Sequence, residues 1–342
     1  MARVLLGLSG GVDSSVSALF LQQFQFDVVG VTLRFHELFS REDENRAASI
    51  CKKLNIEHHI IDVSAEFASI VKKNFVDSYT NALTPNPCVL CNECVKFPSL
   101  IKAADAFNCE YIATGHYAIV TDDFQLCKAT YKNKDQSYML YRLPKSILKR
   151  CIFPLGTFSK EDIVKAAYDA GFNYEDISES QDICFLSSGQ HYVDWLISEG
   201  CKNKPGHVID INSKEILGTH AGLLNYTIGQ RKGLNLGGGT DEPYYVVSKN
   251  AEKSELCVGK LKNTFRDECN VYDVHWTSIQ KPTDNFECMV KIRYRSNAVL
   301  AYLSLNDEFI KVNFHSPVSG ITPGQSAVFY HDDICLGGGF IA

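Results

Sequence analysis

The stretch Arg3–Ser15, RVLLGLSGGVDSS, decides the fold of this chain. A short apolar run ends in a glycine pair flanked by serines, and a helical pattern follows. This order is typical of a buried strand, a tight turn and a helix start. Glycine lets backbone N–H groups converge on one point, and a helix N-terminus adds partial positive charge. The stretch therefore predicts a phosphate or pyrophosphate site, where Asp13 would hold a bridging magnesium ion.

These residues alone leave two interpretations of the glycine pair open. A Gly-Gly turn also closes ordinary strand–helix units that bind nothing. The Walker A pattern needs a lysine after its second glycine, and Ser9–Ser15 contains none, so this is not an ordinary P-loop. The stretch resembles the PP-loop of enzymes that bind ATP, adenylate a carbonyl oxygen and release pyrophosphate. That resemblance implies the nucleotide and the leaving group but not the substrate.

Size and composition are those of a soluble globular protein and allow two or three domains. The chain has 342 residues, of which 45% are hydrophobic and 22% charged. The N-terminus runs straight into the first strand, and no apolar run is long enough to cross a bilayer, so we expect a cytoplasmic protein with no membrane partner. The net charge of −6 argues against a protein that coats nucleic acid, although lysines and arginines group locally.

Cysteine is unusually frequent, with thirteen residues. An odd number in a long chain disfavours a secreted disulfide framework. Most are expected to be reduced and buried, as small apolar residues. Only their spacing can identify those that react or bind metal.

The order of elements predicts an α/β domain followed by β structure. Strands and helices alternate through the first third, which implies parallel strands with helices on both faces. The middle is helical up to about Gly200, and short alternating runs separated by glycine and asparagine turns follow. We expect a PP-loop ATP-binding domain at 1–202, a small central β-rich domain at 203–262 and a C-terminal β-barrel at 263–342.

In a parallel sheet, ligands bind beyond the carboxyl ends of the strands. The glycine turn after the first predicted strand lies there. Leu33, at the end of the second predicted strand, and Gly115 and His116, after the strand Tyr111–Thr114, are expected at the same edge.

The stretch Thr84–Cys94, TPNPCVLCNEC, is the second informative segment. Its two prolines predict an extended, rigid approach. The C-x-x-C-x-x-C spacing suits a redox dithiol, a zinc site or an iron–sulfur cluster. The zinc interpretation is weakened because no second C-x-x-C or spaced histidine pair follows, and we expect Cys94 to be buried. Further along, Cys184 in ESQDICF is either a buried strand cysteine or a thiol at a strand end that faces a pocket.

With these segments in view, the chain resembles the tRNA-specific 2-thiouridylases, which thiolate the wobble uridine. The resemblance runs over the whole chain. The matching strings are SGGVDSS (Ser9–Ser15), TPNPCVLCN (Thr84–Asn92), KF (Lys96–Phe97), ATGHYA (Ala113–Ala118), KDQSY (Lys134–Tyr138), FPLG (Phe153–Gly156), ESQDICF (Glu179–Phe185), YTIGQRKGL (Tyr226–Leu234), KIRYR (Lys291–Arg295), ITPGQ (Ile321–Gln325) and CLGGG (Cys335–Gly339).

The resemblance implies a role for each matching residue. The ATP contacts would be Gly7, Leu8, Ser9, Gly10, Gly11, Val12, Asp13, Ser14, Leu33 and Gly115. The target base would be met by Asn86, Pro87 and Cys88, and other tRNA contacts by His116, Lys134, Asp135, Gln136, Arg293, Tyr294 and Gln325.

The family chemistry requires two thiols. Adenylation converts the uridine C2 oxygen into a leaving group, and a Cys184 persulfide then supplies sulfur. Cys91 would act as the nucleophile, and the resulting Cys91–Cys184 disulfide is cleared by an external reductant. The expected partners are the tRNA anticodon stem-loop and a persulfide sulfur-donor protein. The cofactors would be ATP and Mg²⁺.

Alternatives remain at this point. Some relatives carry an acidic residue where this chain has Cys88, so Cys88, Cys91 and Cys184 could instead hold three irons of a [4Fe–4S] cluster. Another PP-loop ligase or amidotransferase acting on a small carboxylate would explain Ser9–Ser15 but not the thiol pair or the barrel. A non-catalytic tRNA-binding protein with zinc at Cys88, Cys91 and Cys94 is the third possibility.

Overall fold

The apolar run at the N-terminus forms the central strand of a five-stranded parallel sheet. The computed structural model describes residues 1–36, 41–172, 183–187, 189–236 and 242–342. Val4, Leu5 and Leu6 have no exposed surface, as expected for a strand covered by helices on both faces. The sheet has the order β3-β2-β1-β4-β7, with strands β1 (Arg3–Gly7), β2 (Asp27–Arg34), β3 (Glu57–Asp62), β4 (Tyr111–Thr114) and β7 (Cys151–Ile152).

Helices cover this sheet and carry the connections between its strands. Within the described residues they are α1 (Val12–Gln23), α2 (Arg41–Leu54), α3 (Ser64–Phe67), α4 (Lys73–Thr80), α5 (Pro87–Cys91), α6 (Phe97–Ala106), α7 (Ser137–Leu140), α8 (Lys145–Leu148), α9 (Lys160–Asp169) and α10 (Tyr192–Ser198). Two π-helical segments, Ala68–Lys72 and Asn92–Lys96, join α3 to α4 and α5 to α6. Helix α9 begins with a capping box, in which the Ser159 side chain accepts from the Asp162 backbone N–H and the Asp162 side chain accepts from the Ser159 backbone N–H.

The prediction of an extended approach is wrong at Pro87. Pro87 is the first residue of α5, and the Asn86 side chain accepts a hydrogen bond from the Cys88 backbone N–H at 3.2 Å. Asparagine at the N-cap and proline at the first helical position together favour a helix start, since proline there loses no intrahelical bond. Cys88 and Cys91 therefore lie on a helix.

A small mixed sheet follows the first domain. Its strands are β8 (Gly206–Asp210), β9 (Ile216–His220), β10 (Tyr245–Asn250) and β11 (Glu255–Gly259), in the order β10-β11-β8-β9. Val208, Val246, Leu256 and Val258 form its core. This is the expected central β-rich region.

The C-terminal strands close into a six-stranded antiparallel barrel. They are β12 (Phe265–Trp276), β13 (Phe286–Lys291), β14 (Val299–Leu305), β15 (Ile310–Ser319), β16 (Ser326–His331) and β17 (Ile334–Ile341), and β12 pairs with β17 to complete the ring. Antiparallel pairing joins β14 to β15 and β16 to β17 as two hairpins. The three-part α/β, β-rich and β-barrel architecture is thus confirmed.

One connection was not expected from the sequence. Strands β5 (Ala118–Val120) and β6 (Leu126–Lys128) form a hairpin within the first domain, and Cys127 pairs with Ile334 at the edge of the barrel sheet. The Leu126 backbone N–H also donates to Ser278 Oγ at 2.8 Å. The first and last domains therefore share a sheet of eight strands.

Candidate active site

The phosphate-binding loop is organised by its own hydrogen bonds. Ser14 Oγ and Ser15 Oγ donate to the Gly11 carbonyl at 3.0 and 2.8 Å, and Ser9 Oγ lies 3.2 Å from Ser14 Oγ. Gly10 has a φ of +77°, and a Cβ added there would lie 2.8 Å from the Asp43 carbonyl oxygen. The glycine is required for both reasons, and it lets the loop enter α1 with its first N–H groups exposed to the cleft.

A second loop closes against this helix start. A Cβ on Gly115 would lie 3.0 Å from the backbone of Asp13 and Ser14, so any other residue would push the two segments slightly apart. The two loops bound a cleft of about 250 Å³ at the carboxyl edge of the sheet. The cleft is lined by Gly7, Leu8, Ser9, Asp13, Ser14, Val31, Leu33, Phe35, Lys96, Leu100, Thr114, Gly115, His116 and Gln136.

Most of the residues expected around ATP line this cleft. The other three do not: Gly10 and Gly11 form the turn before α1, and Val12 is the first residue of that helix. Asp13 accepts hydrogen bonds from Tyr117 at 2.8 Å and from Lys160 Nζ at 2.7 Å, both on Oδ1. Sequence reasoning missed Lys160, which reaches the loop from 147 positions along the chain. A single carboxylate beside a phosphate site fits magnesium, which takes few protein ligands and completes its shell with phosphate and water.

Helix α5 and the π-helical segment after it place thiols beside the cleft. Cys88 is exposed and Cys91 partly buried. Electrostatic interactions connect both thiols to each other and to Lys96, which lines the cleft one turn further along. Burial raises the pKa of Cys91 to about 12, opposed by the Lys96 charge. The Cys88 side chain reaches solvent, but the protein packed around its other sides raises the pKa of its thiol, and Lys96 again opposes this.

Cys184 joins this group from a distant part of the chain. It lies in a turn, so the expected strand end is wrong, and its side chain is exposed on one side and surrounded by protein on the others. Burial raises its pKa to about 11, and Cys88 contributes in the same direction. Cys184 also interacts electrostatically with Cys91, so Cys88, Cys91 and Cys184 form one group of thiols. Residues 179–182 of the ESQDICF string lie outside the described residues.

An aromatic cluster fixes the turn that carries Cys184. The next residue, Phe185, is 1% exposed, and its ring centroid lies 5.8 Å from Phe67, 5.4 Å from Phe75 and 4.9 Å from Trp195. The His36 ring is hydrogen-bonded to the Cys184 backbone. Neighbouring aromatic packing therefore positions a thiol whose own side chain stays accessible.

Cys94 does not belong to the thiol group. It is exposed rather than buried, and its electrostatic neighbours are Glu93, Arg142 and Asp273. The described residues contain no set of three Cys, His, Asp or Glu side chains arranged to hold a metal ion. Among these described residues, neither Cys88, Cys91 and Cys94 nor Cys88, Cys91 and Cys184 form such a set.

The barrel supports the thiol-bearing segment at two points. Gln325 Nε2 donates to the carbonyls of Thr84 and Pro85 at 2.9 and 3.2 Å, so the ITPGQ and TPNPC strings dock on each other. Arg142 is nearly buried and bridges Glu93 at 2.5 Å and Asp273 of β12 at 3.0 Å. Nothing in the sequence signalled this second link, because its three residues belong to no shared pattern.

The other residues predicted to contact tRNA do not share one environment. Asp135 is buried, and its carboxylate accepts bonds from the backbone N–H groups of Ala129 and Ser137, so it shapes its own loop. Gln136 accepts from the Tyr117 N–H at 3.0 Å beside the cleft. Lys134 ends the one-turn 3-10 helix Lys132–Lys134.

Arg293 and Tyr294 lie where the barrel meets other parts of the molecule. Arg293 donates to the Ile228 carbonyl of the YTIGQ string at 2.7 Å and to Thr322. The Tyr294 ring lies 6.1 Å from Tyr138. His116 stacks on Phe97 at 5.8 Å, its Nδ1 lies 2.7 Å from Thr114 Oγ1, and burial holds its pKa well below the usual range.

Comparison with protein families gives three adjoining matches. Residues 2–188 match the tRNA methyl transferase HUP domain, residues 195–260 the tRNA methyl transferase PRC-barrel domain, and residues 266–341 the aminomethyltransferase beta-barrel domain. The fold and the site thus define a HUP-domain protein with an appended PRC-type domain and β-barrel. Curated relatives narrow this class further.

The chain is 41% identical to the tRNA-specific 2-thiouridylase MnmA of Gloeothece citriformis over 354 aligned positions, covering 100% of this chain and 99% of the relative. It is 37% identical to the MnmA of Nitratiruptor sp., covering 99% of both chains. The chain belongs to the tRNA-specific 2-thiouridylase family. A solved 4-thiouridine synthetase–RNA complex with bound ATP aligns with 50% of this chain and 41% of its own, at 21% identity and a TM-score of 0.39.

Among the helices in the part of the chain that the structure describes, none is both long enough and apolar enough to span a bilayer.

Proposed function

We propose that this protein is an ATP-dependent tRNA-uridine 2-sulfurtransferase that thiolates the wobble uridine in the anticodon stem-loop. One observation carries the proposal: the cleft at the predicted phosphate-binding loop is also lined by Lys96, and Lys96 interacts electrostatically with the three thiols Cys88, Cys91 and Cys184. The relatives' name, tRNA-specific 2-thiouridylase, supports the same reaction. Methyl transfer, which the HUP-domain description names, gives no reason for the thiols.

ATP binds at the phosphate loop in this proposal. The exposed N–H groups at the start of α1 hold the phosphates, as helix N-termini do for many anions. Leu33 and Gly115 contact the adenosine from the ends of β2 and β4. When magnesium is bound, Asp13 holds it and it supplies positive charge to the phosphates.

The first step activates the base. The uridine C2 oxygen bonds to the α-phosphorus of ATP, pyrophosphate leaves, and the N3 proton is lost. The C2–O bond, which would otherwise require oxide to leave, now breaks with AMP as the leaving group. Asn86, Pro87 and Cys88, at the start of α5, meet the base in this proposal.

The second step transfers sulfur. The terminal sulfur of a Cys184 persulfide bonds to C2 and AMP leaves. The Cys91 thiolate then attacks Cys184 Sγ, forming the Cys91–Cys184 disulfide and releasing 2-thiouridine, whose N3 takes up the proton that Cys91 gave up. A persulfide-bearing donor protein reloads Cys184 after an external thiol has reduced the disulfide. The exposed side chain of Cys184 supports this route, because a donor protein can reach it, and no step here passes through an iron–sulfur cluster.

Binding of tRNA uses local charge on an acidic protein. We assign contacts to His116, Lys134, Gln136, Tyr294 and Gln325, while the buried bonds of Asp135 and Arg293 indicate that these two act by holding contact loops in place. Binding is expected to weaken with salt, because lysines and arginines meet phosphates. A cytoplasmic location is part of the proposal, since its thiols must be reducible between turnovers.

The test separates the two halves of the site. Cys91→Ser and Cys184→Ser are each expected to abolish 2-thiouridine, measured by mass spectrometry of digested tRNA, while ATP affinity measured by calorimetry is unchanged. Cys257→Ser, in the central domain, is the matched control and should retain full activity. Full thiolation by either active-site variant would refute its assigned role.

The same assay distinguishes the other candidates. ATP turnover without tRNA in the presence of a small carboxylic acid would favour a ligase or amidotransferase. Tight zinc binding and tRNA binding without any thiolation would favour a non-catalytic protein.

A further inference from the structure

Lys96 occupies a place that neither half of the proposed mechanism uses. It ends the π-helical segment Asn92–Lys96, one turn beyond Cys91, and its side chain reaches the wall of the nucleotide cleft. Among the described residues that line the cleft, it is the only lysine or arginine. The same side chain interacts electrostatically with Cys88, Cys91 and Cys184. One cation therefore faces both the phosphate site and the thiols.

Two other lysines lie near the site. Lys160 pairs with Asp13. Lys72 lies over the Phe185 ring, 5.9 Å from its centroid; it lowers the pKa of Cys184 less than Lys96 does, and it is not among the residues that line the cleft. His116 also lines the cleft, and burial keeps its imidazole in the neutral form. Positive charge at the junction of the cleft and the thiols therefore depends on Lys96.

We propose that Lys96 is a catalytic residue of this reaction, whose ammonium group pairs in turn with the α-phosphate of the bound nucleotide, the Cys184 persulfide anion and the Cys91 thiolate. The proposal rests on the function proposed above. It requires no new reactant, because each anion is already a participant in one of the two steps. Lys96 forms no covalent bond with the nucleotide, the tRNA or the thiols in any step.

The electrostatics of the site support this pairing. Burial is the largest influence on each partner separately: it lowers the pKa of Lys96 and raises the pKa of Cys91. Each partner opposes that effect on the other, as expected when an ammonium and a thiolate become favourable only together. A water-poor cleft makes such a pair stronger than it would be at the surface.

Each step then has a defined partner for Lys96. While the C2 oxygen bonds to phosphorus, the ammonium faces the phosphoryl oxygens that gain charge. When the persulfide sulfur bonds to C2, AMP leaves as an anion beside the same ammonium. When Cys91 attacks Cys184 Sγ, the ammonium stabilises the thiolate until the S–S bond has formed and the base has taken the proton.

The experiment compares Lys96→Met, Lys96→Arg and the control Lys102→Met, an exposed lysine on α6. In single-turnover assays with persulfide-loaded enzyme, Lys96→Met should lower the rate of 2-thiouridine formation by about 10²-fold, the usual loss for one preorganised charge. Lys96→Arg should recover at least about tenfold of that loss because it keeps the charge. Lys102→Met should match the unmodified protein.

A second readout does not depend on tRNA. The pH profile of Cys91 alkylation by iodoacetamide, followed by peptide mass spectrometry, should move to higher pH in Lys96→Met and not in Lys102→Met. A purely structural role for Lys96 would leave this profile in place, and that result would overturn the proposal. A rate of 2-thiouridine formation in Lys96→Met equal to that of the unmodified protein would also overturn the proposal. If the unmodified protein makes no 2-thiouridine, the proposed function fails, whereas the alkylation profile still tests the charge pairing.

Discussion

The phosphate loop and the thiol-bearing segment face one cleft, but they are held in opposite ways. Within Ser9–Ser15 the serine hydroxyls bond to Gly11 a few positions away, so the loop organises itself. The segment Thr84–Lys96 depends on Gln325 and on the Arg142 bridge to β12, both more than 45 positions away. The contrast teaches that the proposed nucleotide site is organised by residues close together in the sequence, whereas the proposed sulfur-transfer site is assembled by tertiary packing.

The largest expected effect is at the aromatic support of Cys184. Phe185→Ala removes a fully buried ring from the cluster of Phe67, Phe75 and Trp195, and should lower the free energy of unfolding by about 3–5 kcal/mol. Phe24→Ala, at an exposed ring, should change it by less than about 0.5 kcal/mol. Chemical denaturation measures both. Equal effects from the two variants would show that the cluster does not anchor the turn.

The second-largest effect is expected at Arg142, which links the barrel to the thiol-bearing segment Thr84–Lys96. Arg142→Met leaves the largely buried Glu93 carboxylate without its cation and should cost about 3 kcal/mol, at the low end for a broken buried pair because Asp273 is exposed. Lys311→Met, which breaks the exposed pair with Glu268, is the control and should cost about 0–1 kcal/mol. Sulfur transfer should fall in Arg142→Met while ATP affinity is retained. A loss of ATP affinity instead would contradict the separation of the two regions.

The smallest of the three expected effects is at the phosphate loop. Gly10→Ala places a side chain at φ +77° and 2.8 Å from the Asp43 carbonyl, and should lower stability by about 1–3 kcal/mol and weaken ATP binding. Gly218→Ala is the control, because its new Cβ meets only Leu236 at 3.5 Å. Cys91 alkylation should be unchanged in both variants. Unchanged ATP binding in Gly10→Ala would mean that the loop does not hold the nucleotide.

The sequence predicted best what is encoded locally. The strand–loop–helix unit at Arg3–Ser15, the alternating elements of the parallel sheet and the hairpins after Val299 all follow from patterns within about twenty residues. The error at Pro87 was also local: Asn86 before a proline is a helix-start signal, and the neighbouring Pro85 obscured it.

The parts that could not be predicted are those with partners far along the chain. Lys160 pairs with Asp13, and Arg142 joins Glu93 to Asp273, yet none of these residues belongs to a periodic or spaced pattern. Cys94 fits the C-x-x-C-x-x-C spacing as well as its neighbours do. Its exclusion from the thiol group results from the π-helical segment, whose wider turn the sequence does not announce.

The hairpin β5–β6 constrains how this protein could be dissected. It grows out of the first domain and completes the edge of the last domain's sheet through the pairing of Cys127 with Ile334. A shortened chain that stops before β12 would leave that strand edge bare, and bare edges recruit strands from other molecules. The nucleotide-binding half is therefore a poor candidate for transplantation or separate production, although three family models divide the chain neatly.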